Sequence, residues 1–103
     1  MVQELKKEAL KKIKDSQKPT IIKFGAVWCA PCKALTPVFK ELSKEIKKAS
    51  FYEVNIDAEL ELAKKFKIMS VPTIIILKKS QETARINGFS NKETLKSTIL
   101  SKI

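Results

Sequence analysis

Apolar residues return every three or four positions from Val2 to Lys14, where Val2, Leu5, Ala9, Leu10 and Ile13 are set among Lys and Glu. This spacing predicts an amphipathic helix. Past the break at Gln17-Lys18-Pro19, the run Thr20-Ile21-Ile22-Lys23-Phe24 is β-branched and mostly apolar, which predicts a strand buried on both faces and ended by Gly25 and Ala26. From Pro31 to Lys48 the helical period resumes through Leu35, Val38, Phe39, Leu42 and Ile46. Pro37 falls inside that helix and predicts a kink, because proline brings no amide and crowds the preceding turn.

Phe51 to Ile56 reads as a second strand, with Asp57 as the cap of a helix from Glu59 to Phe66. Thr73 to Leu77 carries the clearest strand pattern. A turn over Lys78 to Glu82 leads into a strand from Thr83 to Ile86, and Ser90 is the expected cap of a last helix through Leu95, Ile99 and Ile103. The order α-β-α-β-α-β-β-α combines a right-handed β-α-β crossover, hence a parallel pair, with a tight antiparallel hairpin. A mixed sheet covered by helices on both faces follows, the α/β class.

The 103 residues suffice for one domain, 1–103, and one hydrophobic core. With 44% apolar and 31% charged residues the composition is that of a folded globular chain. No apolar run approaches the eighteen or so residues of a membrane span. The first residues form neither a continuous apolar segment nor a small-residue cleavage site, so the expected location is the cytoplasm, with no membrane partner. A net charge of +10 suits a nucleic-acid partner, but the positives are twenty Lys and the single Arg85, spread over every helix with Glu between them. Arg forks and interleaved aromatics are missing, so no specific nucleic-acid binding is expected.

Candidate chemistry is confined to one segment, Trp28-Cys29-Ala30-Pro31-Cys32, which lies where a strand hands over to a helix. Free amides and the dipole at a helix N-terminus favour an anion, so Cys29 should ionise below the ordinary thiol pKa of about 8.5. It is the candidate nucleophile, expected to be both more ionised and more accessible than its partner. Cys32, three residues on and on the same side of the helix, is placed to attack a mixed disulfide formed at Cys29. Pro31 suits the first helical turn, where its missing N–H has no partner to lose. A structural disulfide across two residues closes too short a loop to stabilise much, and a zinc site needs about four ligands where the chain offers two Cys and no His. No metal site is expected. Two inert buried Cys are the remaining reading, which Pro31 and the strand-helix junction argue against.

Trp28-Cys29-Ala30-Pro31-Cys32-Lys33 resembles the active site of the thioredoxin family. The likeness extends over nearly the whole chain: the apolar strand before the motif, Pro37 after it, the strand end Val54-Asn55-Ile56-Asp57, Val71-Pro72-Thr73 before a strand, and Gly88 near the end. The resemblance implies a thioredoxin fold and reduction of protein disulfides through Cys29 and Cys32, without a bound cofactor. Its partners would be disulfide-containing proteins and a reductase that recycles the oxidised form, and the chain is expected to act as a monomer. It implies that Pro72 is cis and lies against the cysteines, and that Trp28, Val71, Pro72 and Gly88 form the substrate groove. A thioredoxin-fold binding module and an oxidase or isomerase remain as alternatives.

Several positions depart from the family pattern. Ala30 stands where Gly is usual, Gly25 where an aromatic is usual, and Ser70 where Gly is usual. The family's first strand has at most Val2-Gln3-Glu4 left to form it, so four strands are expected, five if those residues pair. The largest departure is Lys23, at the position of a buried Asp that helps the second Cys exchange its proton. The Lys that accompanies that Asp is replaced by Glu53, so the two charges are exchanged. If Lys23 and Glu53 meet in the interior beneath Cys32, pairing explains a Lys in an apolar strand, and removing Lys23 would strand a buried carboxylate. The alternative is a Lys23 that snorkels to solvent and an independent surface Glu53.

Overall fold

The computed structural model describes residues 1–103. Its sheet has five strands, β1 (Val2–Glu4), β2 (Thr20–Gly25), β3 (Ser50–Asn55), β4 (Thr73–Lys78) and β5 (Gln81–Asn87), in the spatial order β1-β3-β2-β4-β5. Strands β1 and β2 run parallel to β3, whereas β4 is antiparallel to both β2 and β5. Four helices complete the chain: α1 (Leu10–Lys14), α2 (Ala30–Glu45), α3 (Leu60–Lys65) and α4 (Lys92–Lys102).

Alternation along the central strands divides the core into two layers. Ile21, Ile74 and Ile76 face Leu35, Phe39 and Leu42 of α2 and Leu95 and Ile99 of α4. Ile22, Phe24 and Ile75 face Leu10 and Ile13 of α1, Leu62 of α3 and Phe66 just past its end. Strands β2 and β4 are covered on both faces, as their unbroken apolar runs require. Lys23, two residues from Ile21, therefore points at α2.

The N-terminal reading needs correction. Val2 to Glu4 is not helical but pairs with Phe51 to Glu53, and the Leu5 amide continues the ladder to the Glu53 carbonyl at 2.9 Å. The open edge of β3 offers backbone groups that a strand satisfies and a helix does not. The helix is cut to Leu10–Lys14 behind a 3₁₀ turn at Lys7–Ala9, yet Leu5, Leu10 and Ile13 are still buried.

Two caps also differ. Asn91, not Ser90, caps α4, its side-chain oxygen accepting the Thr94 amide at 2.9 Å. Asp57 does not cap α3, whose N-terminal boundary is Glu59, without a side-chain cap. The Asp57 carboxylate is used elsewhere.

Candidate functional site

The end of β2 and the start of α2 hold Cys29 and Cys32 together, and the two form a disulfide. Cys29 is the residue before the first turn of α2, in extended conformation, and its sulfur accepts the Cys32 amide at 3.2 Å. One of the free amides of the helix start is thus aimed at Cys29 Sγ, where it favours negative charge. Accessibility does not separate the two: Cys29 is 6% exposed and Cys32 4%. The expectation of a more accessible Cys29 is not met in this disulfide form, because the pair packs under Ala26 and Val71. Pro31 sits in the first turn of α2, as its chemistry asks, and Ala30 opens that turn on the surface.

The loop before β4 closes over the pair. The Val71–Pro72 peptide is cis, and the Val71 carbonyl oxygen is 3.8 Å from Cys29 Sγ. Pro72 is buried, and its carbonyl accepts the amide of Gly88 at 2.8 Å. Gly88 has φ +83°, a left-handed conformation that a side chain would strain. Trp28 is exposed, and its indole N–H donates to the Asp57 carboxylate at 2.9 Å. The sequence shows only the place of Asp57 before a helix and so suggests a cap, whereas this contact spans twenty-nine residues. Val27, Met69 and Phe89, next to these elements in sequence, are exposed apolar side chains as well.

Lys23 and Glu53 are register partners in β2 and β3, and the ammonium lies 3.7 Å from the carboxylate. Lys23 does not snorkel; its side chain is 6% exposed, while that of Glu53 is 42% exposed. The carboxylate is therefore partly hydrated, which corrects the expectation of a fully buried pair. The ammonium also donates to Thr36 Oγ1 at 2.9 Å and lies 5.7 Å from the centre of the Phe39 ring. Burial pulls the Lys23 pKa below its ordinary value, with Glu53 acting in the opposite sense. Thr36 donates in turn to the Cys32 carbonyl at 3.1 Å, so the buried cation is tied to the helix turn that carries Cys32. Thr36 was missed in the sequence, although its spacing of four from Cys32 places it on the same helix face.

Behind the pair a cleft of about 410 Å³ opens, walled by Lys23, Gly25, Cys32, Thr36, Glu53 and Asn55 among others. The substrate-side residues Trp28, Val71 and Pro72 do not line it. Cys32 thus lines a hollow that it shares with Val27 and not with Trp28, Val71 or Pro72.

The comparisons agree with this architecture. Residues 1–101 match the family model described as Thioredoxin. The chain is 39% identical over 93 residues to a thioredoxin of Mycoplasma pneumoniae, covering 89% of this chain and 91% of the relative. It is also 39% identical over 88 residues to a thioredoxin H-type of Fagopyrum esculentum, covering 85% and 76%. The solved structure of Malassezia sympodialis thioredoxin superposes with a TM-score of 0.91 at 28% identity, covering 99% of this chain and 90% of that one. Family model, relatives and fold agree with the disulfide at the head of α2: this chain belongs to the thioredoxin family, and it is a thiol-disulfide oxidoreductase of the thioredoxin type.

Proposed function

We propose that Cys29 is the attacking thiol and Cys32 the resolving thiol in the reduction of protein disulfides, carried out by residues 1–103 as a single domain. The observation that supports this division of labour is the Cys32 amide directed at Cys29 Sγ at the start of α2. It stabilises the Cys29 thiolate, which attacks a sulfur of the target disulfide and expels the other as a thiolate. Cys32 then attacks Cys29 Sγ in the mixed disulfide, the reduced target leaves, and the intramolecular disulfide remains for a reductase to reduce. Glu53, which lines the rear cleft together with Cys32, accepts the proton that Cys32 loses in this reading.

The substrate strand lies across Trp28, Val71, Pro72 and Gly88 in this reading, with exposed Met69 and Phe89 adding apolar contact. The chain works as a monomer in the cytoplasm, where reduction is the favoured direction of flow. It needs no cofactor of its own.

Insulin reduction in the presence of dithiothreitol tests the reading. Wild type should accelerate precipitation of the insulin B chain, Cys29→Ser should abolish that acceleration, and Cys32→Ser should accumulate mixed disulfides through Cys29. A binding module would give no acceleration at all, and accumulation with the roles of the two Cys reversed would overturn the assignment.

A further inference from the structure

Gly25 ends β2 beside Cys32, and a Cβ built there would lie 3.4 Å from both Cβ and Sγ of Cys32. Any side chain longer than a methyl would have to grow alongside that sulfur, at the wall that Gly25 and Cys32 share in the rear cleft. Without one, Cys32, itself 4% exposed, lines a hollow of about 410 Å³ that Trp28, Val71 and Pro72 do not line. The hollow is too small for a folded protein and large enough for an amino-acid-sized molecule. Its walls carry both signs of charge: the Lys23–Glu53 pair, Lys33, and Glu4, which also pairs with Lys6.

We propose that this cleft is a second thiol-exchange site, through which a zwitterionic low-molecular-weight aminothiol of the free-cysteine type reacts with Cys32. The inference rests on the redox reading of the pair. In the oxidised protein the small thiolate attacks Cys32 Sγ. A new bond to the small thiol's sulfur forms, the Cys29–Cys32 bond breaks, and its electron pair leaves on Cys29 Sγ. Attack at this sulfur expels the better leaving group, because the Cys29 thiolate keeps the Cys32 amide at 3.2 Å and the field of the helix start. A second small thiolate then attacks its own kind in the mixed disulfide, releasing the small disulfide and leaving Cys32 as thiolate. The thiols' protons pass to the protein thiolates, so two thiols become one small disulfide while the protein disulfide becomes a dithiol. Electronics favour attack at Cys32, and the gap at Gly25 supplies the access.

The reverse first step is measured with single-cysteine proteins and cystine as probe, following mixed-disulfide formation by mass spectrometry at pH 8. In the Cys29→Ser background, adding Gly25→Trp should slow capture of cystine by Cys32 about tenfold or more, since the rate follows access to the sulfur. In the Cys32→Ser background the same change should alter capture by Cys29 less than about twofold. Gly25→Leu, a smaller filler, gives the same comparison should the Trp protein fail to fold. Cys32 in Cys29→Ser should react with cystine and not with insulin, and faster with cystine than with neutral bis(2-hydroxyethyl) disulfide. Equal slowing of both cysteines, or no slowing of Cys32, overturns the cleft as the route, and equal rates with the two small disulfides overturn the aminothiol class. Failure of the redox reading itself would appear separately, as a wild type that does not reduce insulin.

Discussion

Replacing Lys23 by methionine should leave the fold within about 1 kcal/mol of wild type, whereas replacing Glu53 by glutamine should cost about 1–2 kcal/mol. The asymmetry comes from the unequal burial of the partners, 6% exposure for the Lys23 side chain against 42% for Glu53. At their separation of 3.7 Å, two unit charges attract by about 4.5 kcal/mol at an effective dielectric of 20 and by about 1 kcal/mol in water. The half-exposed carboxylate places the pair toward the weaker limit. When Glu53 loses its charge, the buried ammonium keeps only Thr36 and the Phe39 ring, and its desolvation is no longer offset. When Lys23 becomes methionine, the carboxylate turns to water. The thioether fills the space against Phe39, and the Thr36 hydroxyl still donates to the Cys32 carbonyl. The double variant should then match Lys23→Met, giving a coupling energy of about 1–2 kcal/mol in a urea double-mutant cycle. Additivity within about 0.5 kcal/mol would show that the charges do not interact, and a loss above about 3 kcal/mol for Lys23→Met alone would show that Glu53 is stranded without water.

The depressed Lys23 pKa predicts a pH dependence as well. Its folded value lies below the ordinary 10.5, so the native chain gives up this proton before the unfolded chain does. The penalty of burying the charge is therefore present below the folded pKa and relieved as pH rises toward 10.5. Urea midpoints compared from pH 7 to 10.5 should show wild type gaining stability relative to Lys23→Met; a constant difference would contradict the shift. In the reduced protein, one equivalent of iodoacetamide near neutral pH should label Cys29 well before Cys32, because the amide directed at Cys29 Sγ at the helix start favours its thiolate. Preferential Cys32 labelling on mass mapping would reverse the roles. Arg85 donates to the Phe66 and Lys67 carbonyls at 2.6 and 3.2 Å while pairing with Glu82, so it closes the C-terminal end of α3. Arg85→Lys, with one ammonium for that fork, should lower stability by about 1–2 kcal/mol, and an unchanged urea midpoint would show that the fork contributes nothing.

Period and punctuation alone located the central strands, α2, α3, α4 and the cysteine pair at the strand-helix junction. Those features follow from local chemistry: β-branched runs between breakers, apolar residues at helical steps, and proline where an amide is dispensable. The place of Pro72 against the cysteines and the pairing of Lys23 with Glu53 came from the resemblance to the thioredoxin family, not from local chemistry. Tertiary structure decided what depends on a neighbour distant in sequence. Val2 to Glu4 became a strand because β3 presented an open edge, which outweighed a helical period with no partner of its own. Asp57 turned from its helix to the Trp28 indole. Only packing determined that Lys23 is enclosed while Glu53 keeps water, since α2 covers one end of that register pair and leaves the other at the mouth of a cleft. Gly25 reads in sequence as the end of a strand; the fold makes it the missing wall beside Cys32, because an absent side chain has consequences only where another atom is close enough to notice.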